Sequence, residues 1–325
     1  MGFRKKSKIC LIVCFLLLFC LLFCGCTPAP LLSRREIVHA VFFQKQGNTN
    51  CVLLLLANNA QSPKGEDAAY RTVMGSGETP AQALEQAENS LDGQVFYGLL
   101  DLAVLPSECD WQQLQHLGRL LYERTKPAPQ ITLFLMDSTD KNLCETAPRL
   151  YRELEDAGMR AGISNGLQSI FSTPNECALP VWQGTGYGFV FLQKDRSNTV
   201  IDEPLAAQLA AVLCGQANFI KASFSQGEAV LQAQASVRHI VDKQNQNLLC
   251  LVLSDAKIAD LLDEKRAGTQ LQNIVCCELQ RSFSEICSSI YTGDFDPFRT
   301  NVWTCSVRGI GAQSSVPQLS IHIEP

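Results

Sequence analysis

The sequence predicts an α+β fold: two mixed α/β domains with antiparallel or mixed sheets, and one long C-terminal helix. Three observations lead there. Strand and helix patterns alternate through the first half after an opening hairpin, as they do in α/β units. The second half shows long paired strands, one dominant helix and further strands. Hydrophobic residues make up 46% of the chain against 18% charged, a balance that folds into a packed core. The roughly 300 residues after position 26 suffice for one large domain or two ordinary ones. The Ser-, Pro-, Asn- and Gly-rich stretch from Ser164 to Gly186 reads as the boundary. The expected division is therefore a leader at 1–25, a tether at 26–36, an N-terminal domain at 37–183 and a C-terminal domain at 184–325.

The elements follow in order. Ile37–Phe43 and Cys51–Ala57 are apolar runs separated by Gln-Lys-Gln-Gly-Asn-Thr-Asn, the pattern of a β-hairpin. Asn58–Asp67 reads as a loop and Arg71–Met74 as a third short strand. Thr79-Pro80-Ala81-Gln82 offers an N-cap Thr, a Pro at the first helical position and a Gln three residues after the cap, so a helix starts there. Leu99–Leu105 reads as a buried strand. Ser107 can cap the next helix, whose apolar face carries Trp111, Leu114, Leu117 and Leu121, and Ile131–Met136 is another strand. Thr146 can cap a helix running to Ala157 and closed by Gly158.

Beyond the boundary, Tyr187–Leu192 reads as a strand, and Asp202-Glu203-Pro204 opens a helix with Leu205, Leu209, Val212 and Leu213 on one face. Ala229–Val241 and Leu248–Leu253 pair across the polar turn Asp242–Asn247. Thr269 with Gln272 begins the longest helix, striped by Leu271, Val275, Leu279, Phe283, Ile286 and Ile290. Val302–Val307 and Leu319–Ile323 read as closing strands. No internal repeat is present.

The first 26 residues say where the body sits. Arg4, Lys5, Lys6 and Lys8 precede an apolar run from Ile9 to Phe23, which exits at Cys24-Gly25-Cys26 and is followed by Pro28 and Pro30. A basic head, an apolar middle and a small-residue exit make an export signal. The run is shorter than the roughly 20 residues that span a bilayer; an uncleaved anchor helix starting near Ile9 is the competing reading. Gly25-Cys26 resembles a bacterial lipobox, which makes Cys26 the lipidation site and acyl chains the membrane anchor. Removing the leader takes four cations away, so the formal charge moves from −5 to −9. An acidic body of that kind is not attracted to nucleic acid. Ten cysteines remain beyond Cys26, scattered and without a CxxC pair, and read as buried free thiols, with one or two disulfides left open.

Catalytic equipment is sparse. The four histidines, His39, His116, His239 and His322, share no metal-ligand spacing, so no metal and no cofactor are expected. Gly162-Ile163-Ser164-Asn165-Gly166 matches the GxSxG nucleophile elbow, with Asp202 and His239 following in hydrolase order. The bland reading is a chance match in a linker, because the flanks lack the strand and helix an elbow requires. Gly75-Ser76-Gly77 before the Thr79 helix could cradle an anion or merely turn the chain. Asp294-Phe295-Asp296-Pro297 could bind a cation or cap a turn.

The order of segments resembles the Ger(x)C family, the lipoprotein C subunits of spore germinant receptors. Cys26 is followed by Arg34-Arg35-Glu36-Ile37, similar to the family's opening, although its Trp-Asp is missing. Gly77–Leu91 and Phe96-Tyr97-Gly98-Leu99 resemble the family's helix and strand entry, without the entry's His, and Leu100–Leu105 matches the strand after it. Gly186–Asp195 and Leu205–Leu213 resemble the start of its C-terminal domain. The Leu271–Ile290 helix, Asp294-Phe295-Asp296-Pro297-Phe298 and Val307-Arg308-Gly309 resemble its close. The resemblance implies a non-enzymatic, lipid-anchored subunit on the outer face of the spore inner membrane, beside membrane-embedded A- and B-type receptor subunits. Two other classes compete: a solute-binding lipoprotein of a transporter, and a serine esterase using Ser164.

Overall fold

The computed structural model describes residues 35–324 apart from 59–68, 127–130, 138–141, 172–175, 185, 195, 225–228, 242–246, 261–267, 292–294 and 309–315. The leader, Cys26, most of the tether, most of the Asn58–Asp67 loop, Asp294 and most of the Asp242–Asn247 turn lie outside the described residues.

A nine-stranded sheet organises the first two thirds of the chain. Its strands are β1 (Arg35–Gln46), β2 (Thr49–Ala57), β3 (Tyr70–Gly77), β4 (Gln94–Phe96), β5 (Leu102–Pro106), β6 (Thr132–Met136), β7 (Glu176–Trp182), β8 (Tyr187–Gln193) and β9 (Thr199–Ile201). They lie in the order β3-β2-β1-β5-β6-β7-β8-β9, with β4 beside β1. The β1–β2 hairpin is antiparallel as expected, whereas β1, β5, β6 and β7 run parallel. The central strands of this sheet are buried on both faces, which is why β2 reads as an unbroken apolar run. Val52, Leu54 and Leu56 face one core and Leu53 and Leu55 the other.

On the first face lie α1 (Pro80–Asn89), α2 (Trp111–Leu120) and the single-turn α4 (Gln168–Phe171). Helix α1 starts where the sequence predicts: Thr79 Oγ1 accepts from Gln82 N–H at 3.2 Å, and Gln82 Oε1 accepts from the Thr79 N–H. Helix α2 is capped by Asp110 and not by Ser107; Asp110 Oδ1 accepts from the Gln113 N–H at 2.8 Å. Its last turn widens into a π-turn at Leu121–Thr125, closed by Lys126 in a left-handed conformation.

Helices α3 (Leu143–Ala161) and α5 (Pro204–Leu213) pack on the second face. Helix α3 begins three residues before Thr146, whose hydroxyl donates back to Asn142 O at 3.3 Å within the first turn. It runs four residues past Ala157, because Gly162 and not Gly158 takes the left-handed closing conformation, φ +62°. Gly158 lies inside the helix, buried against Thr132 and Phe134 of β6.

The small sheet holds β10 (Phe219–Phe224), β11 (Ala229–Val241), β12 (Asn247–Asp260) and β13 (Gln318–Ile323), in that order. The β11–β12 pair is antiparallel as expected, and β13 joins β12 in parallel. Ala229, Leu231, Ala233 and Ala235 of β11 are buried while Gln232, Gln234, Ser236 and Arg238 are exposed, so one face is wet. The 23-residue α6 (Gly268–Ile290) lays its predicted stripe on this sheet and on α5. Helix α7 (Thr300–Arg308) occupies the region expected to hold the Val302–Val307 strand. Asp296 explains the change, because its carboxylate accepts from the Thr300 N–H at 2.9 Å and the Val302 N–H at 3.3 Å, starting a helix. The fold is thus α+β, with two mixed sheets and a long helix near the C-terminus.

The stretch from Ser164 to Gly186 holds α4 and β7, not a plain loop. Pro180 disguises β7 in the sequence; it is tolerated because β6 pairs with β7 only at Val181 and Trp182. The β7–β8 hairpin carries the large sheet across residues 183–184, and sheet membership changes between Ile201 and Phe219. Helix α5 lies between the two sheets. Eight of its ten residues are buried, and it packs on β8, β10, β11 and α6 together.

Candidate functional site

A polar concavity sits where the two sheets meet. It encloses about 490 Å³ and is lined by the α3–α4 link, the end of α5, the inner face of β11 and the Pro297–Arg299 turn. Its floor is set by Asn165, which is 1% exposed. Asn165 Oδ1 accepts from the Leu133 N–H and its Nδ2 donates to Leu133 O, both at 2.9 Å. Strand β6 has no β7 partner at Leu133, so this amide completes the ladder there. Gly162 and Gly166, both left-handed, turn the chain on either side of it.

Gln216 supplies the wall. It is 6% exposed, its Nε2 donates to Ala178 O, and its Oε1 is a buried acceptor without a donor among the described residues. His239 Nε2 lies 2.7 Å from Phe298 O, and the ring stacks on Trp303 with centroids 5.8 Å apart. Arg299, exposed and left-handed at φ +55°, closes the turn. A smaller cavity of about 40 Å³ shares Gln216 and Arg299 and is lined on its far side by Glu176. Burial pushes the Glu176 carboxyl up to about 7, helped by the charge of Asp296 and opposed by the Asp296 backbone N–H and by Arg299. Burial likewise pushes the Cys214 thiol up, and its Sγ lies 3.7 Å from Pro297 O.

Ser164 and His239 therefore line one cavity, but Asp202 does not: it is exposed and accepts from Gln183 Nε2. Ser164 follows the end of a helix and a single bridge between Ile163 and Ala217, and a turn comes after it. A nucleophile elbow needs a strand before the serine and a helix immediately after it. With His239 Nε2 engaged by Phe298 O as well, the GxSxG match serves to seat Asn165.

The other candidates resolve into packing. Gly75 lets α1 lie directly on β3, since a Cβ there would stand 2.2 Å from Ala83 O. The Ser76 N–H donates to Gln86 Oε1, so the glycine cradle faces a helix side chain and not an anion. Asp296 starts α7. His39 lies 3.8 Å from Asp101, which also accepts from the Tyr151 hydroxyl at 2.9 Å. His322 sits on β13 opposite Val252. His116 lines a second cavity, about 470 Å³, at the C-terminal ends of the parallel strands β1 and β5, with Lys45, Asn50, Glu78, Glu108 and Cys109. Burial, then Glu108 and Asp110, push the Cys109 thiol up to about 12. Among the described residues no two cysteines are bonded to each other, and five of the ten are buried.

Asn165, Gln216, Glu176 and Arg299 did not stand out in the sequence. The pair of glycines four residues apart around Asn165 is the one local signal that marks the site.

Among the described residues no helix is long and apolar enough to cross a membrane. No family model matches the chain, and no curated protein matches it. One solved structure that is similar is titled as the crystal structure of the GerBC protein. The match covers 87% of this chain and 95% of that one, at 10% sequence identity and a TM-score of 0.43.

Proposed function

We propose that this chain is a non-enzymatic lipoprotein subunit of a spore germinant receptor. It is anchored through acylated Cys26 on the outer face of the spore inner membrane and works beside membrane-embedded A- and B-type subunits. The supporting observation is the ordered series of Ger(x)C-like segments behind a lipobox-like leader, from Arg34-Arg35-Glu36-Ile37 to Val307-Arg308-Gly309. The acidic body fits an anchor made of acyl chains and not of basic side chains.

The experiment is acyl-chain labelling of the tagged protein in sporulating cells, followed by capture from detergent-solubilised spore membranes. Two multispanning partners and a label lost in Cys26→Ala are expected. An unlabelled, cytosolic chain with its leader intact, or capture without a multispanning partner, overturns the proposal.

A solute-binding lipoprotein is the second reading, favoured by the 490 Å³ cavity between the sheets, a volume suited to small molecules. A rise in melting temperature on adding free amino acids or sugars would support it, and no rise with any of them would remove it.

A further inference from the structure

Three sulfur-bearing side chains share the corner where α3 begins. The β2–β3 register sets Cys51 opposite Ser76 and Leu53 opposite Met74, so Cys51 and Met74 are diagonal neighbours on one face. Helix α3 packs on that face: Thr72, two residues before Met74, donates from Oγ1 to Cys144 O at 3.1 Å. From the first turn of α3, Cys144 Sγ lies 3.9 Å from Met74 Sδ. Burial, and after it the Cys144 thiol, push the Cys51 thiol up. Cys51 is 5% exposed and Cys144 half-buried, while Met74 is 46% exposed and forms the open side.

We propose that Cys51, Met74 and Cys144 form a binding site for one soft monovalent cation of the Cu(I) class. Thiolate and thioether sulfur select Cu(I), whereas magnesium, calcium and manganese prefer oxygen. With metal–sulfur bonds of about 2.3 Å, two ligands of a trigonal centre stand about 4 Å apart. The 3.9 Å between Cys144 Sγ and Met74 Sδ already has that spacing. On binding, each thiol gives its proton to solvent, and two thiolates with one Cu(I) leave a single negative charge. That charge forms at the first turn of a 19-residue helix, where anions are stabilised. Among the described residues no three His, Cys, Asp or Glu side chains cluster; here the methionine supplies the third ligand.

The test uses the full-length protein in detergent, reduced and anaerobic, titrated with Cu(I) held by bicinchoninate. One equivalent of Cu(I) should be withdrawn from the competitor. Cys51→Ser/Cys144→Ser should withdraw none at this site, and Cys276→Ser/Cys277→Ser should behave as the unmodified protein. Met74 is exposed, so Met74→Leu should fold normally and bind at least about tenfold more weakly; it decides the matter if the double serine variant does not fold. X-ray absorption should show a sulfur-only shell that loses one atom in Met74→Leu. No withdrawal, undiminished withdrawal by either Cys51/Cys144 or Met74 variant, or a Cys51–Cys144 disulfide in the protein as isolated overturns the proposal.

Discussion

Replacing Asn165 by Ala tests what the GxSxG segment is for. The side chain makes two hydrogen bonds of 2.9 Å, to the N–H and the C=O of Leu133, and all of these groups are buried. A hydrogen bond contributes about 1 kcal/mol net, but a buried group left without a partner costs about 1–3 kcal/mol. Losing both bonds while stranding both backbone groups should therefore cost about 3 kcal/mol, allowing for some rescue by water through the adjoining cavity. Ser164→Ala should change stability by less than about 0.5 kcal/mol, since its side chain is exposed and only its backbone N–H is bonded, to Gln216 O at 2.8 Å. Asn165→Asp should be at least as damaging as Ala, because a carboxylate oxygen would face Leu133 O. Urea unfolding of the three variants provides the readout, with midpoints compared at unchanged slope. If Asn165→Ala fell within about 0.5 kcal/mol of Ser164→Ala, the amide bracket would not be what holds this end of β6.

Three other outcomes are expected. Gly75→Ala forces the backbone of α1 away from β3, because its Cβ would stand 2.2 Å from Ala83 O and 2.4 Å from Ala87 N; overpacking of this kind costs about 1–3 kcal/mol, readable as a lowered urea midpoint. Glu176 has its folded-state pKa raised from 4.5 to about 7, so the fold favours the protonated form. Its contribution is fullest below about pH 4.5 and is lost as pH rises through about 7, on the order of 3 kcal/mol at full titration. Glu176→Gln should flatten that part of the stability–pH curve, and an unchanged slope between pH 4.5 and 7 would refute the assignment. Lys126→Gly should raise stability by up to about 1 kcal/mol by thermal unfolding, because Lys126 ends the π-turn at φ 43° and glycine adopts that conformation without a Cβ clash.

Local signals were readable and distant ones were not. The start of α1 was visible because Thr79, Pro80 and Gln82 satisfy one another within four residues. The stripe of α6 was visible because its period is that of the helix itself. Helix α7 was missed because the group that starts it, the Asp296 carboxylate, lies upstream across a proline, while Val302 and Val307 carry β-branched side chains. Strand β7 was hidden by Pro180, whose missing N–H costs nothing where β6 offers no partner. The junction site escaped for a related reason. Asn165 meets Leu133 across 32 residues and Gln216 meets Ala178 across 38, separations that no local pattern encodes.

Helix α5 has a consequence for how the protein is made. Leu205–Leu213 is apolar on every side but that of Gln208, yet its coverings are synthesised at different times: the large sheet before it, and β10, β11 and α6 after it. A nascent chain halted anywhere before Ile290 displays an oily rod on a finished platform, the kind of surface that recruits chaperones or seeds aggregates. Truncations ending between residues 214 and 290 should accordingly be degraded or insoluble, and neither half should survive being produced by itself.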